Sequence, residues 1–129
     1  MVMKLTKIER GNPSNPGQKK KWYLTKSAGR PIELDEIAED IQGRSAMTKG
    51  DILSVLSNLV QVLPAHLKKG DSVRLGSFGS FRLSVASNGV EDAADLTAKQ
   101  VKGTRVVFVA GTELKRELNG ITYSVGQDA

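Results

Sequence analysis

The sequence contains no cysteine, which excludes a disulfide framework, thiolate-bound zinc, iron–sulfur clusters and any cysteine nucleophile. A chain of this kind fits a reducing cytosol. His66 is the single histidine, which leaves little for a histidine-based metal site and rests any Ser-His-Asp triad on one candidate base. No apolar run approaches the roughly 20 residues that a membrane helix needs. The start, Met1 to Arg10, alternates polar and apolar residues instead of building a signal-peptide core. These scarcities predict a soluble, cytoplasmic protein without membrane partner, metal, cofactor or small-molecule substrate, and they place enzymatic readings at a disadvantage. What is present suffices for one domain: 129 residues, 39% apolar and 26% charged. At that length folding removes roughly two-thirds of the unfolded surface from water.

The charge is unevenly spread. Residues 1–30 carry eight bases, Lys4, Lys7, Arg10, Lys19, Lys20, Lys21, Lys26 and Arg30, against Glu9 alone, or +7, while the whole chain carries +5 and the other 99 residues therefore −2. A concentrated basic arm beside a nearly neutral body suits an anionic partner, because clustered cations release counterions from a polyanion. A solvated, solubilising surface accounts for the same run, so charge alone leaves both readings open.

Met3 to Glu9 has a roughly two-residue period and Trp22-Tyr23-Leu24-Thr25 is rich in strand formers. The turn-forming run Gly11 to Gly17 between them predicts a β-hairpin with an exposed, basic-flanked loop. Leu34, Ile37, Ala38 and Ile41 then fall at helical spacing, with Asp35, Glu36, Glu39 and Asp40 on the other face and Gly43 at the end. Thr48 precedes a longer helical pattern, Ile52 to Leu63, as a capping residue. Pro64 is expected to kink this helix or begin a new turn before Lys68-Lys69-Gly70 closes it. Val73/Leu75 and Phe81/Leu83/Val85 alternate as two strands around a glycine bend. Arg105 to Val109 and Ile121 to Val125 read as strands, with a short helix, Thr112 to Leu118, between them.

Several isolated signals have plain structural explanations. Gly76-Ser77-Phe78-Gly79 lacks the lysine and the strand-to-helix setting of a phosphate loop. His66 fits a solvent-facing or capping place near a helix end. The acids of the first helix face no nucleophile or metal ligand and read as a solvated face. Trp22 and Tyr23, beside Lys19-Lys20-Lys21, have the aromatic-basic pattern of a single-strand or RNA binder, but their strand setting favours packing in a core.

Residues Leu34 to Leu118 carry a resemblance. Leu75-Gly76-Ser77-Phe78-Gly79-Ser80-Phe81 resembles the Gly-Phe-Gly-Thr-Phe turn of the HU/IHF family of bacterial DNA-binding proteins. Phe108 to Gly111 followed by Leu114-Lys115 is similar to that family's Phe-Lys-Pro-Gly-Lys-x-Leu-Lys ending. The match covers about two-thirds of the chain, and the flanking strands look like the extended branch in which HU is fused to other modules. The resemblance implies an α+β fold: two helices under a small antiparallel sheet with a β-arm, a short C-terminal helix and an added N-terminal hairpin, intertwined as a homodimer. An apolar helix face at Ile52, Val55, Leu59 and Leu63 is one that a second copy could cover.

The expected division is a basic extension, 1–30, and an HU-like domain, 31–129, with its arm at about 84–104. The resemblance implies a nucleoid-associated, non-enzymatic protein that condenses double-stranded DNA with little sequence preference. Such proteins bind chiefly through phosphates and bend DNA with apolar wedges. This chain departs from the family at the arm: Val85 to Asp95 holds Glu91, Asp92 and Asp95, with neither base nor proline. Val109 and Thr112 replace two family lysines, while Lys115 remains. The candidate DNA-binding residues are therefore Arg74, Arg82, Lys99, Lys102, Arg105, Lys115 and Arg116 around the sheet. Lys19, Lys20, Lys21, Lys26 and Arg30 join them, supplying what the arm lost. The alternative is an HU-like dimer that has lost DNA bending and serves as a protein-interaction module through its hairpin edge.

Overall fold

Asn12-Pro13 and Asn15-Pro16-Gly17 reverse the chain between two runs of strand formers, and this sets the first element pair. The computed structural model describes residues 2–126. Its order is β1 (Val2–Arg10), β2 (Lys21–Lys26), α1 (Leu34–Gln42), α2 (Lys49–Lys68), β3 (Val73–Arg74), β4 (Gly79–Ser87), β5 (Val101–Ala110), α3 (Thr112–Leu118) and β6 (Thr122–Val125). These elements form two compact units: residues 2–31 together with 118–126, and Ile32–Glu117.

In the first unit the sheet order is β2-β1-β6. β1 and β2 pair antiparallel, with Leu5 opposite Lys26 and Arg10 opposite Lys21. Asn12 organises the connecting loop: its Oδ1 accepts from the Ser14 amide at 3.0 Å, and its side-chain amide donates to Gln18 Oε1 at 3.3 Å. β6 joins β1 in parallel, Val2 opposite Thr122 through Leu5 opposite Val125. The last strand thus groups with the N-terminal segment and not with Ile32–Glu117. Core packing fails for Trp22 and Tyr23, which stay 63% and 50% exposed. Within this unit they belong to a single-layer sheet, and adjacent residues on a strand point to opposite faces.

In the second unit α1 packs on α2, with Ala38 and Ile52 buried. Thr48 caps α2, its hydroxyl accepting from the Asp51 amide at 3.2 Å. Lys49, in the first turn, reaches back to α1, 2.8 Å from Glu39 Oε1 and 3.2 Å from Asp35 Oδ2. The hydrogen bonds to Glu39 and Asp35 raise its ammonium above the ordinary lysine range. α2 runs as one helix through Pro64 to Lys68, so no new helix begins at Pro64. The ring removes one donor, to the Val60 carbonyl, and Val60 is itself exposed to water. Gly70, at φ 90°, then turns the chain.

The second sheet has the order β3-β4-β5, all antiparallel. Beyond β3, β4 and β5 continue as a two-stranded ribbon to Ser87 opposite Val101. Residues 88–100 form its tip, which contains two short 3₁₀ turns. At the base Phe108 packs between Phe78 and Phe81, ring centroids 5.6 and 4.9 Å away. Gly79, at φ 154°, leaves no room: a Cβ there would lie 2.6 Å from the Phe108 ring and from the Val109 carbonyl. Gly79→Ala is therefore expected to destabilise the fold by about 1–3 kcal/mol through overpacking. Urea unfolding should show a lower midpoint at an unchanged slope.

Candidate nucleic-acid interface

Strand alternation puts β4 residues Ser80, Arg82 and Ser84 on one face of the second sheet and Phe81, Leu83 and Val85 on the other. Register extends both faces across the sheet. Arg74 lies opposite Ser80, Val107 opposite Arg82, and Arg105 opposite Ser84. Arg74, Arg82 and Arg105 are therefore diagonal neighbours, one on each strand, at the roughly 7–8 Å typical of such pairs. Their stripe crosses a face whose other members are serines and valines. All three are exposed, and none forms a salt bridge among the described residues. The opposite face carries Val73, Phe81, Leu83, Val106 and Phe108, and Phe108 on it meets the Phe78 ring of the Gly76–Phe78 turn.

The remaining sequence candidates are dispersed. Lys102 stands at a β-bulge: Ala86 faces Gly103 and Ser87 faces Val101, which leaves Lys102 without a register partner. Lys99 lies in the second tip turn, Ala98–Gln100, where Thr97 and Gln100 cap each other reciprocally. Glu91, Asp92 and Asp95 share that tip, and Asp92 Oδ1 accepts from the Ala94 amide at 3.1 Å. Lys115 and Arg116 are successive residues of α3, about 100° apart around the helix. His66 is exposed at the end of α2, with Nδ1 3.9 Å from Asp71 Oδ2.

The other five candidates belong to the first unit. Lys19 and Lys20 are in the β1–β2 loop, Lys21 and Lys26 at the two ends of β2, and Arg30 follows it. Their parity separates Lys21 from Lys26, which lie on opposite faces of the sheet. Lys21 instead shares its face with Tyr23, Lys4 and Arg10. Arg10, absent from the sequence-derived set, is the direct cross-strand partner of Lys21. Counting back from the loop would have found it, once the register was known. Arg10, Asn12, Gln18, Lys19, Lys21 and Tyr23 line an open cleft of about 380 Å³.

A scan of protein families places residues 1–124 on one family model, HU-HIG, described as HU domain fused to wHTH, Ig, or Glycine-rich motif. The chain belongs to this family. Among solved structures, the chain is similar to a Bacteroides vulgatus ATCC 8482 protein described as a presumptive bacterial DNA-binding protein. That likeness has a TM-score of 0.69 at 13% identity and covers 99% of this chain. The chain spans 49% of that protein's length. A lesser likeness, TM-score 0.49 at 18% identity, is to Anabaena HU crystallised with DNA, over 69% of this chain and 98% of that one. None of the curated proteins matches. Among the described residues, no helix is long and apolar enough to cross a membrane.

Proposed function

We propose that this HU-HIG protein binds double-stranded DNA with little sequence preference, as a homodimer and in an architectural, non-enzymatic role on the bacterial nucleoid. The diagonal stripe of Arg74, Arg82 and Arg105 carries this reading. Three exposed guanidiniums without carboxylate partners on one flat face match phosphate oxygens, and phosphate contacts position a protein without reading bases. Two copies supply six such contacts. Lys99, Lys102, Lys115 and Arg116 add charge around the same unit, which we take as the HU-like domain. Lys19, Lys20, Lys21, Lys26 and Arg30 add it on the N-terminal sheet.

The acidic tip favours a second reading. Glu91, Asp92 and Asp95 repel phosphates, and an HU-like dimer with such a tip serves protein assembly in place of DNA bending. Fluorescence anisotropy of a labelled 30-base-pair duplex, titrated at several salt concentrations, decides between them. Six neutralised phosphates give a slope of log affinity against log salt near −5. Submicromolar binding at low salt with that slope, alike on unrelated sequences, supports the duplex reading. No binding at low salt overturns it and leaves the assembly module.

A further inference from the structure

Charge divides sharply between the two units. Residues 1–31 and 118–129 hold eight bases and two acids, +6, while residues 32–117 hold eleven bases and twelve acids, −1. Within the first unit the bases are also sorted by face. Lys4, Arg10 and Lys21 share one face with Tyr23, whereas Glu9 lies on the other with Lys7 and Lys26.

Arg10 and Lys21 are the telling pair. They are direct cross-strand partners, and like charges directly opposite each other destabilise a sheet. No carboxylate compensates them among the described residues. The Asn12-centred loop brings Lys19 to the same open cleft, so the charged groups lining it are all cations, accompanied by the Tyr23 phenol and the Gln18 amide. An anion bound there would remove the repulsion between Arg10 and Lys21. A guanidinium and two ammoniums beside an exposed aromatic ring suit a phosphodiester backbone.

We propose that the N-terminal sheet is a second, self-contained DNA-backbone site, built from Arg10, Lys19, Lys21 and Tyr23, and that the protein thereby bridges two duplex segments. The proposal rests on the duplex-binding reading of the arginine stripe. Each unit holds its cations on its own sheet, so each grips a backbone by itself. Clamping of distant segments, and not only coating of one, is then how this protein condenses DNA.

A bead-capture experiment with the full chain tests it. A biotinylated duplex is immobilised, protein is added, and retention of a second, fluorescent duplex is read at 0.1 M salt; anisotropy with a single duplex is read in parallel. Wild-type protein is expected to retain the second duplex. Arg10→Gln/Lys21→Gln removes two phosphate contacts, which lowers affinity for the second duplex about sixty-fold at that salt, while single-duplex affinity falls by much less because the arginine stripe is intact. Lys19→Glu/Lys20→Glu, confined to the loop, should lose retention likewise, and its folding does not depend on strand pairing. Three results overturn the proposal: retention unchanged in both variants, no retention by wild type that nonetheless binds one duplex, or equal losses in both assays, which would mean that both units grip the same duplex. Absence of single-duplex binding in wild type is a different failure, that of the duplex reading itself.

Discussion

Arg82→Gln protein is expected to bind a single 30-base-pair duplex about sixty-fold more weakly than wild type at 0.1 M salt. The expectation comes from counterion release. Each neutralised phosphate adds about 0.9 to the slope of log affinity against log salt, so each is worth about 0.9 decade at 0.1 M relative to 1 M. One substitution in a dimer deletes two contacts, about 1.8 decades, and flattens the slope by about 2. A protein that binds as a single copy would lose only about eight-fold, so the size of the effect reports how many copies of the stripe touch the duplex.

Arg82→Lys should recover most of the loss, since it keeps the charge and gives up only the bidentate geometry. Losses must be equal on unrelated sequences, because phosphates carry no base identity. Arg82 is exposed and its cross-strand partner is Val107, so a fall in stability is not expected to confuse the result. Unchanged affinity and an unchanged slope in Arg82→Gln would remove the stripe from the interface.

The stripe also shows what was legible in the sequence and what was not. Local signals placed the helices well: Thr48 caps α2, and Gly70 turns the chain after it, because capping and left-handed turns depend on residues a few positions apart. Arg74, Arg82 and Arg105 were each visible as bases. Their alignment required the register of β3 on β4 and of β4 on β5, which is a long-range property. The same holds for Arg10 and Lys21. Pairing of β6 with β1 left no local trace, because a parallel partner arrives without a turn. Trp22 and Tyr23 mark a different gap. A two-residue period tells which side chains share a face, but not whether anything covers that face.

Uncovered apolar surface gives the second large effect, on α2. Ala38, Ile52 and Leu67 are the buried hydrophobic residues among those described, while Val55 and Leu59 remain 58% and 37% exposed on one side of α2. Val62 continues the same side one turn later. The proposed homodimer is the partner that would cover this apolar surface. In a homodimer formed through that surface, folding and association are one equilibrium. Tenfold dilution then costs about 1.4 kcal/mol, which for two 129-residue chains unfolding together lowers Tm by a few degrees, on the order of 2–4 °C per kcal/mol.

Leu59→Glu places a charge in the middle of the proposed contact, and burying it unpaired is expected to cost several kcal/mol. Sedimentation of wild type should give a dimer mass, and Leu59→Glu a monomer or an unfolded chain. A Leu59→Ala protein, which leaves no charge to bury, should still fold as a dimer at high concentration. Its Tm should lie below that of wild type at every concentration and fall roughly in parallel with it on dilution. If wild type sediments as a monomer with a concentration-independent Tm, the interface is wrong. The arginine stripe would then act in one copy, and the sixty-fold loss on Arg82→Gln would shrink to about eight-fold.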